Sequence, residues 1–229
     1  MITHRLRIIA GALLVLAAHA SAAVIASSTF TTGDEGWKNG NFDATTVGQP
    51  GVTWSAVGGN PGGYISVIDN FDWNAFLAPA AYLGNQSAAY GGTLTFDLYD
   101  VEVDFDELYA AVMLSDGVTF LFGGFVQSQY PLGPPFSPFN VSLLASAGWR
   151  TTPDPGSAAA SEAQLQTVLG NLHILAISAD WKTGNDNVAL DNVVLNSGPG
   201  SPSAVPEPGT FALVAGAAAL TAFRISRRC

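Results

Sequence analysis

The chain has 229 residues, with 18 Asp and Glu against 8 Lys and Arg, a net charge of −10, and one cysteine, Cys229. Between Ala22 and Ser197 only Lys38, Arg150 and Lys182 are basic, against 17 carboxylates running from Asp34 to Asp191. Such a body repels nucleic acid and anionic lipid, attracts divalent cations or basic partners, and has neither a disulfide nor a thiol to work with.

At the N-terminus, Arg5 and Arg7 precede the apolar run Ile8 to Ala18, and small residues follow in Ala20-Ser21-Ala22. This is the pattern of a secretory signal peptide, residues 1–22, with cleavage expected after Ala22. An uncleaved anchor is the weaker reading, because the run falls well short of the roughly 20 residues that span a bilayer as a helix.

The body, residues 23–196, has the texture of a β-protein: many glycines, aromatics and β-branched residues in short runs. Phe30 and Glu35-Gly36-Trp37 open it. In the Gly-rich region 48–74, Gly58-Gly59 and Gly62-Gly63 read as turns, since no Lys-Ser/Thr and no helix follows to make a phosphate cradle. Trp54, Tyr64 and Trp73 lie there beside Asn60, Asp69 and Asn74, as a glycan-stacking set or as packing residues.

Thr93 to Tyr99 alternates Leu94, Phe96 and Leu98 against Thr95, Asp97 and Tyr99, the period of a half-buried strand. Asp100, Glu102, Asp104 and Asp106 then alternate with Val101, Val103 and Phe105, which reads as a solvated face or loop, with cation binding as the alternative. Leu108 to Leu114 and Val118 to Phe122 form a predicted hairpin around Ser115-Asp116-Gly117. A short helix is expected where Ser161 and Gln164 make a capping box, Leu165, Val168, Leu169 and Leu172 share a face, and Gly170-Asn171 stops it. Leu172 to Ser178 and Val188 to Leu195 read as strands joined by the polar turn 182–187. Short strands with polar connections and one helix predict an all-β antiparallel sandwich, jelly-roll-like.

Several of these segments resemble a known family in the right order. Pro79 to Gly92 followed by Thr93-Leu94-Thr95-Phe96, then Gly148-Trp149-Arg150, Gln166 to Leu172, and Leu190-Asp191-Asn192-Val193-Val194-Leu195 look like the laminin B domain, also called laminin IV. The resemblance implies a non-catalytic β-sandwich serving as a structural or adhesive extracellular module, here without flanking cysteine-rich repeats. Lectin-like binding of extracellular polysaccharide is the alternative, and a polysaccharide-active hydrolase the weaker one.

Residue chemistry points the same way. His173 is the one histidine of the body and reads as a structural or edge residue; no G-x-S-x-G elbow and no histidine-rich metal set is present. Two suitably spaced carboxylates would suffice for glycoside hydrolysis, and 17 acids leave that open. Asp34, Glu35 and Asp191, where opening and closing strands meet, read either as ligands of a structural calcium ion or as solvated turn carboxylates at Asp34 and Glu35 with Asp191 accepting backbone hydrogen bonds.

The C-terminus is a Gly/Pro/Ser linker, 197–204, then Val205-Pro206-Glu207-Pro208-Gly209-Thr210, an apolar run 211–223, and Arg224, Arg227 and Arg228. At about 1.5 Å per residue the thirteen-residue run gives a short transmembrane helix of about 20 Å, too short for a permanent span of a core about 30 Å thick. Residues 205–229 resemble the PEP-CTERM sorting signal of Gram-negative bacteria. The resemblance implies recognition by an exosortase-type protease, cleavage near Pro206, Glu207 and Pro208, and delivery to the cell surface, outer envelope or a biofilm matrix; a spacer and short apolar tail are read and then removed.

Overall fold

The computed structural model describes residues 22–42, 51–68, 73–100, 110–126, 136–181 and 187–199. Its elements in chain order are β1 (Val24–Ser28), β2 (Lys38–Asn41), β3 (Thr53–Gly59), β4 (Gly62–Ile68), β5 (Asn74–Leu77), β6 (Thr93–Asp100), β7 (Val112–Ser115), β8 (Phe120–Gly123), β9 (Ser137–Ser142), α1 (Glu162–Gly170), β10 (Ile174–Ser178) and β11 (Asn187–Asn196). One sheet runs β3-β4-β11-β6-β9, with β1 also on β11, and the other runs β2-β5-β10-β7-β8. Every pairing among them is antiparallel. The architecture is the expected antiparallel sandwich with one helix.

Alternation along β6 sets the inner face. Leu94, Phe96 and Leu98 are buried in the main core with Ile65, Val67, Leu190, Val193 and Leu195 from neighbouring strands, and Phe76, Val112, Leu114, Leu175 and Ile177 from the other sheet. Trp149 joins this core and its indole N–H donates to Ser142 O at 2.8 Å. Gly123 accommodates it, since a Cβ there would meet the Trp149 ring at 2.6 Å. A smaller cluster, including Ala75, Leu77, Met113, Phe122 and Ala176, covers the other face of the five-stranded sheet.

The helix forms as its sequence dictates. Ser161 Oγ accepts from Gln164 N at 3.2 Å while Gln164 Oε1 accepts from Ser161 N at 2.9 Å, a complete capping box. Leu165, Val168 and Leu169 face the core. Leu172 lies beyond the helix, bridged to Gly84, so the strand starts at Ile174 rather than Leu172. His173 is exposed and anchored through its backbone N–H to Ser115 O at 2.8 Å.

Two other expectations are corrected. Ala110 and Ala111 precede the strand that begins at Val112, and Val118 is 86% exposed in the turn, because Asp116 Oδ1 accepts from Val118 N and Thr119 N and holds the chain out until Phe120. Asp100 is not on a solvated face: it continues the inward row of β6 and is fully buried. The rest of that acidic row, residues 102, 104 and 106, lies outside the described residues, as do the signal peptide up to residue 21, residues 200–204 of the linker, Pro206, Glu207, Pro208 and the apolar run 211–223. Among the described residues no helix is long and apolar enough to cross a membrane.

Candidate functional site

The closing strand β11 changes partner along its length. Residues 187–190 pair with β4, and residues 193–196 with β1. At the changeover the register with β6 shifts between Asp191 and Val194, and Asn192 takes a left-handed φ of 51°. This is a β-bulge, and Asn is among the few non-glycine residues that adopt that conformation readily. The inward positions accordingly switch from Val188 and Leu190 to Val193 and Leu195. Asp191 turns instead to the outer face, paired with Asp97 of β6.

A compact polar knot fills the changeover. Asp191 Oδ2 accepts from Asn60 N at 2.6 Å, and Oδ1 from Asn192 N at 2.7 Å. Asp97 Oδ2 accepts from Asn192 Nδ2 at 2.9 Å and Asn60 Nδ2 at 3.1 Å, and Asn192 Nδ2 also reaches Asn60 O. Asn60 sits in the β3–β4 hairpin turn, where the Asn60–Pro61 bond is cis. Gly59 lets the hairpin close over the carboxylate, because a Cβ there would stand 2.6 Å from Asp191 Oδ2. Burial raises the Asp191 pKa, the two backbone donors oppose that rise, and the charges of Asp97 and Glu35 add to it.

Beside the knot on the same outer face lies a row of half-buried aromatics. Phe136 packs against Tyr64 with ring centres 5.9 Å apart and against Tyr99 at 5.8 Å. Tyr64 and Tyr99 project from β4 and β6, on the face opposite the core residues Ile65 and Leu98. Partly exposed rings next to carboxylate and amide groups are what a sugar needs: an apolar face to stack on and polar groups for its hydroxyls.

The residues singled out in the sequence divide. Tyr64 belongs to this row. Trp54 does not: it is opposite Ile65 in the strand register, hence on the other face, and its indole N–H donates to Phe30 O at 2.7 Å. Trp73 packs on the far side of the five-stranded sheet, 4.9 Å from Phe42 and stacked on Phe122 at 6.2 Å. Of the expected calcium ligands, Asp34 Oδ1 accepts from Gly36 N at 3.0 Å and Glu35 Oε1 from Phe30 N at 2.6 Å. Among the described residues no three His, Cys, Asp or Glu side chains group as a metal site. Asp97, Tyr99 and Phe136 carry no ligand-binding signal in the sequence. The three-residue step from Leu190 to Val193, which breaks the strand period of two, was the signal that would have exposed the bulge.

A second concavity, of about 460 Å³, opens at the β9 edge and is lined by Phe125, Asn140, Gly148 and Arg150 among others. The Arg150 side chain is held there by a 3.0 Å bond from Nη1 to Ser157 O.

A two-sheet antiparallel sandwich with one helix and an aromatic and polar outer face defines a β-sandwich module. The chain matches the family model for laminin B (domain IV) over residues 75–208, more than half its length, and it belongs to that family of non-catalytic extracellular modules. Among solved structures it is similar to the L4b domain of human laminin alpha-2, with a TM-score of 0.58 and 10% sequence identity over 75% of this chain and 96% of that one. That likeness shows the fold. An exo-beta-agarase structure also aligns, at a TM-score of 0.42 and 12% identity over 67% of this chain and 23% of that one, a level that carries no argument. No curated protein sequence matches the chain significantly.

Proposed function

We propose that this protein is an exported, non-catalytic surface or matrix module that adheres to extracellular polysaccharide through the outer face of its six-stranded sheet. The observation that carries this reading is the Tyr64–Phe136–Tyr99 row beside Asp97, Asn60 and Asn192. The aromatics supply stacking surface, and Asp97 and the Asn60 amide, exposed at the hairpin tip, supply acceptors and donors for hydroxyl groups. The knot beneath holds these groups without a ligand, so little ordering is left for binding to complete.

The hydrolase alternative needs two carboxylates that reach substrate. Asp191, the partner of Asp97 in register, is fully buried with both oxygens taken by backbone donors, and this argues for a role in holding the face. Export through the signal peptide ending at Ala22, and exosortase-type processing at Pro206-Glu207-Pro208, place the module outside the cell in this reading. A cell-surface or released form in a Gram-negative envelope follows from the same tail.

Passing soluble neutral and acidic polysaccharides over the immobilised protein tests the adhesive role. Retention without new reducing ends is expected; no retention removes the proposed contact, and release of reducing ends contradicts a non-catalytic role. Intact mass of surface material should lack residues 211–229, and a full tail in mature protein would overturn the sorting step.

A further inference from the structure

Among the described residues, the side-chain oxygens Asn41 Oδ1 and Asn74 Oδ1 are buried without a hydrogen-bond donor. They sit directly opposite each other on β2 and β5, which places their Cβ atoms about 4.5–5.5 Å apart on one face of the sheet. That face is the interior. Asn74 alternates with Phe76, a main-core residue, whereas Ala75 and Leu77 belong to the cluster on the other side. Asn74 is fully buried, and its amide nitrogen is engaged with Ile68 O at 3.4 Å, so the oxygen is the end left without a donor.

More oxygen-bearing groups face the same end. Asn39, fully buried, lies two residues before Asn41 on the same side of β2. From the opposite sheet, Asp100 ends the inward row of β6, in register with Val188. Val188 is in turn paired with Val67, next to the Ile68 whose carbonyl holds Asn74. The topology thus gathers amide and carboxylate side chains from both sheets at one end of the sandwich.

We propose that this end binds a calcium ion, with the Asn41 and Asn74 amide oxygens as ligands and Asn39 and Asp100 as the rest of the oxygen-bearing wall. Buried acceptors without donors carry a desolvation penalty that a guest must offset. A water could donate only two hydrogens and would need donors for its own oxygen. Calcium takes about six to eight oxygen ligands in adaptable geometry and accepts amide oxygens as well as carboxylates, while magnesium demands a stricter octahedron. The ion would also pin β2, an edge strand of sequence Lys-Asn-Gly-Asn with poor intrinsic strand preference, to β5. At the Asp34, Glu35 and Asp191 end, by contrast, backbone donors already occupy carboxylate oxygens of all three residues.

The test uses the purified full-length protein, stripped with EDTA and then titrated with calcium chloride or magnesium chloride. Metal analysis after desalting should find about one calcium per chain, and the melting midpoint should rise by roughly 5–10 °C at a hundredfold excess over Kd. Asn41→Ala should remove both effects and Asp34→Asn should leave both. Absence of bound calcium, equal midpoints in EDTA and calcium, or a response lost in Asp34→Asn but kept in Asn41→Ala overturns the proposal. If Asn41→Ala fails to fold, Asn41→Asp decides: it keeps the shape, adds charge and should lower the calcium Kd several-fold, and an unchanged Kd contradicts the site.

Discussion

The outer knot around Asp191 and the inner end at Asn41 and Asn74 are both polar clusters in an apolar sandwich, and they solve their burial in opposite ways. At the knot the protein supplies partners for the buried carboxylate: both Asp191 oxygens accept backbone N–H groups, and Asp97 Oδ2 collects two amide donors. At the inner end the amide oxygens of Asn41 and Asn74 lack a donor. The first arrangement is self-sufficient. The second leaves buried acceptors open, which is the ground for the calcium ion proposed there. A buried polar group therefore reveals its role through its partners rather than through its burial, since Asp191 and Asn74 are both fully buried.

The largest effect that would break the comparison is at the knot. Asp191→Ala leaves the part-buried Asn60 and Asn192 N–H groups without their acceptors, and because water can reach Asn60 at the hairpin tip a total loss of about 1–3 kcal/mol is expected in chemical denaturation. A variant as stable as wild type would mean that the knot holds nothing. A smaller effect sharpens the electrostatics. Because burial raises the folded-state pKa of Asp191 above its ordinary value of 3.8, the folded state holds the proton in a window where the unfolded chain has lost it. Its contribution to stability is thus full below that value and falls as pH rises through the window. The stability advantage of wild type over Asp191→Asn should narrow across that interval when melts are compared at successive pH values. Asp116 acts in the opposite sense and lower: the Thr119 and Val118 N–H groups depress its pKa, so what it contributes is lost only as pH falls below 3.8.

Much of the sandwich was legible because local signals agreed with the tertiary arrangement. The strict alternation of β6, the Asp116-Gly117 turn and the Ser161–Gln164 box each specify their element without help from the rest of the chain. The short strands β2 and β5 were not legible. Lys-Asn-Gly-Asn carries no strand signal, and Asn74–Leu77 is buried on both faces, so neither shows a period of two; their pairing with each other and with β10 makes them strands. The candidate face was half legible. Tyr64 stood out as an aromatic among glycines, whereas Tyr99 and Asp97 read simply as the polar side of a good strand. Trp54 and Tyr64 are close in sequence but fall on opposite faces, which only the register of β3 on β4 decides. Of the orphaned amides, Asn74 read in the sequence as a hydrogen-bonding neighbour of the aromatics rather than as a buried group, and Asn41 gave no signal, since an asparagine in a loop-like stretch is ordinarily solvated.

The central claim is that the Tyr64–Phe136–Tyr99 face is the contact surface, and affinity electrophoresis of matched variants in polysaccharide gels tests it most directly. Tyr99→Ala and Tyr64→Ala should each weaken retardation by about 1–3 kcal/mol in binding free energy, on the scale of a nucleic-acid base losing its aromatic stacking partner, with the fold intact by circular dichroism. Trp54→Ala, on the other face, should leave retardation unchanged. Loss of retardation in Trp54→Ala with both tyrosine variants binding like wild type would contradict the account.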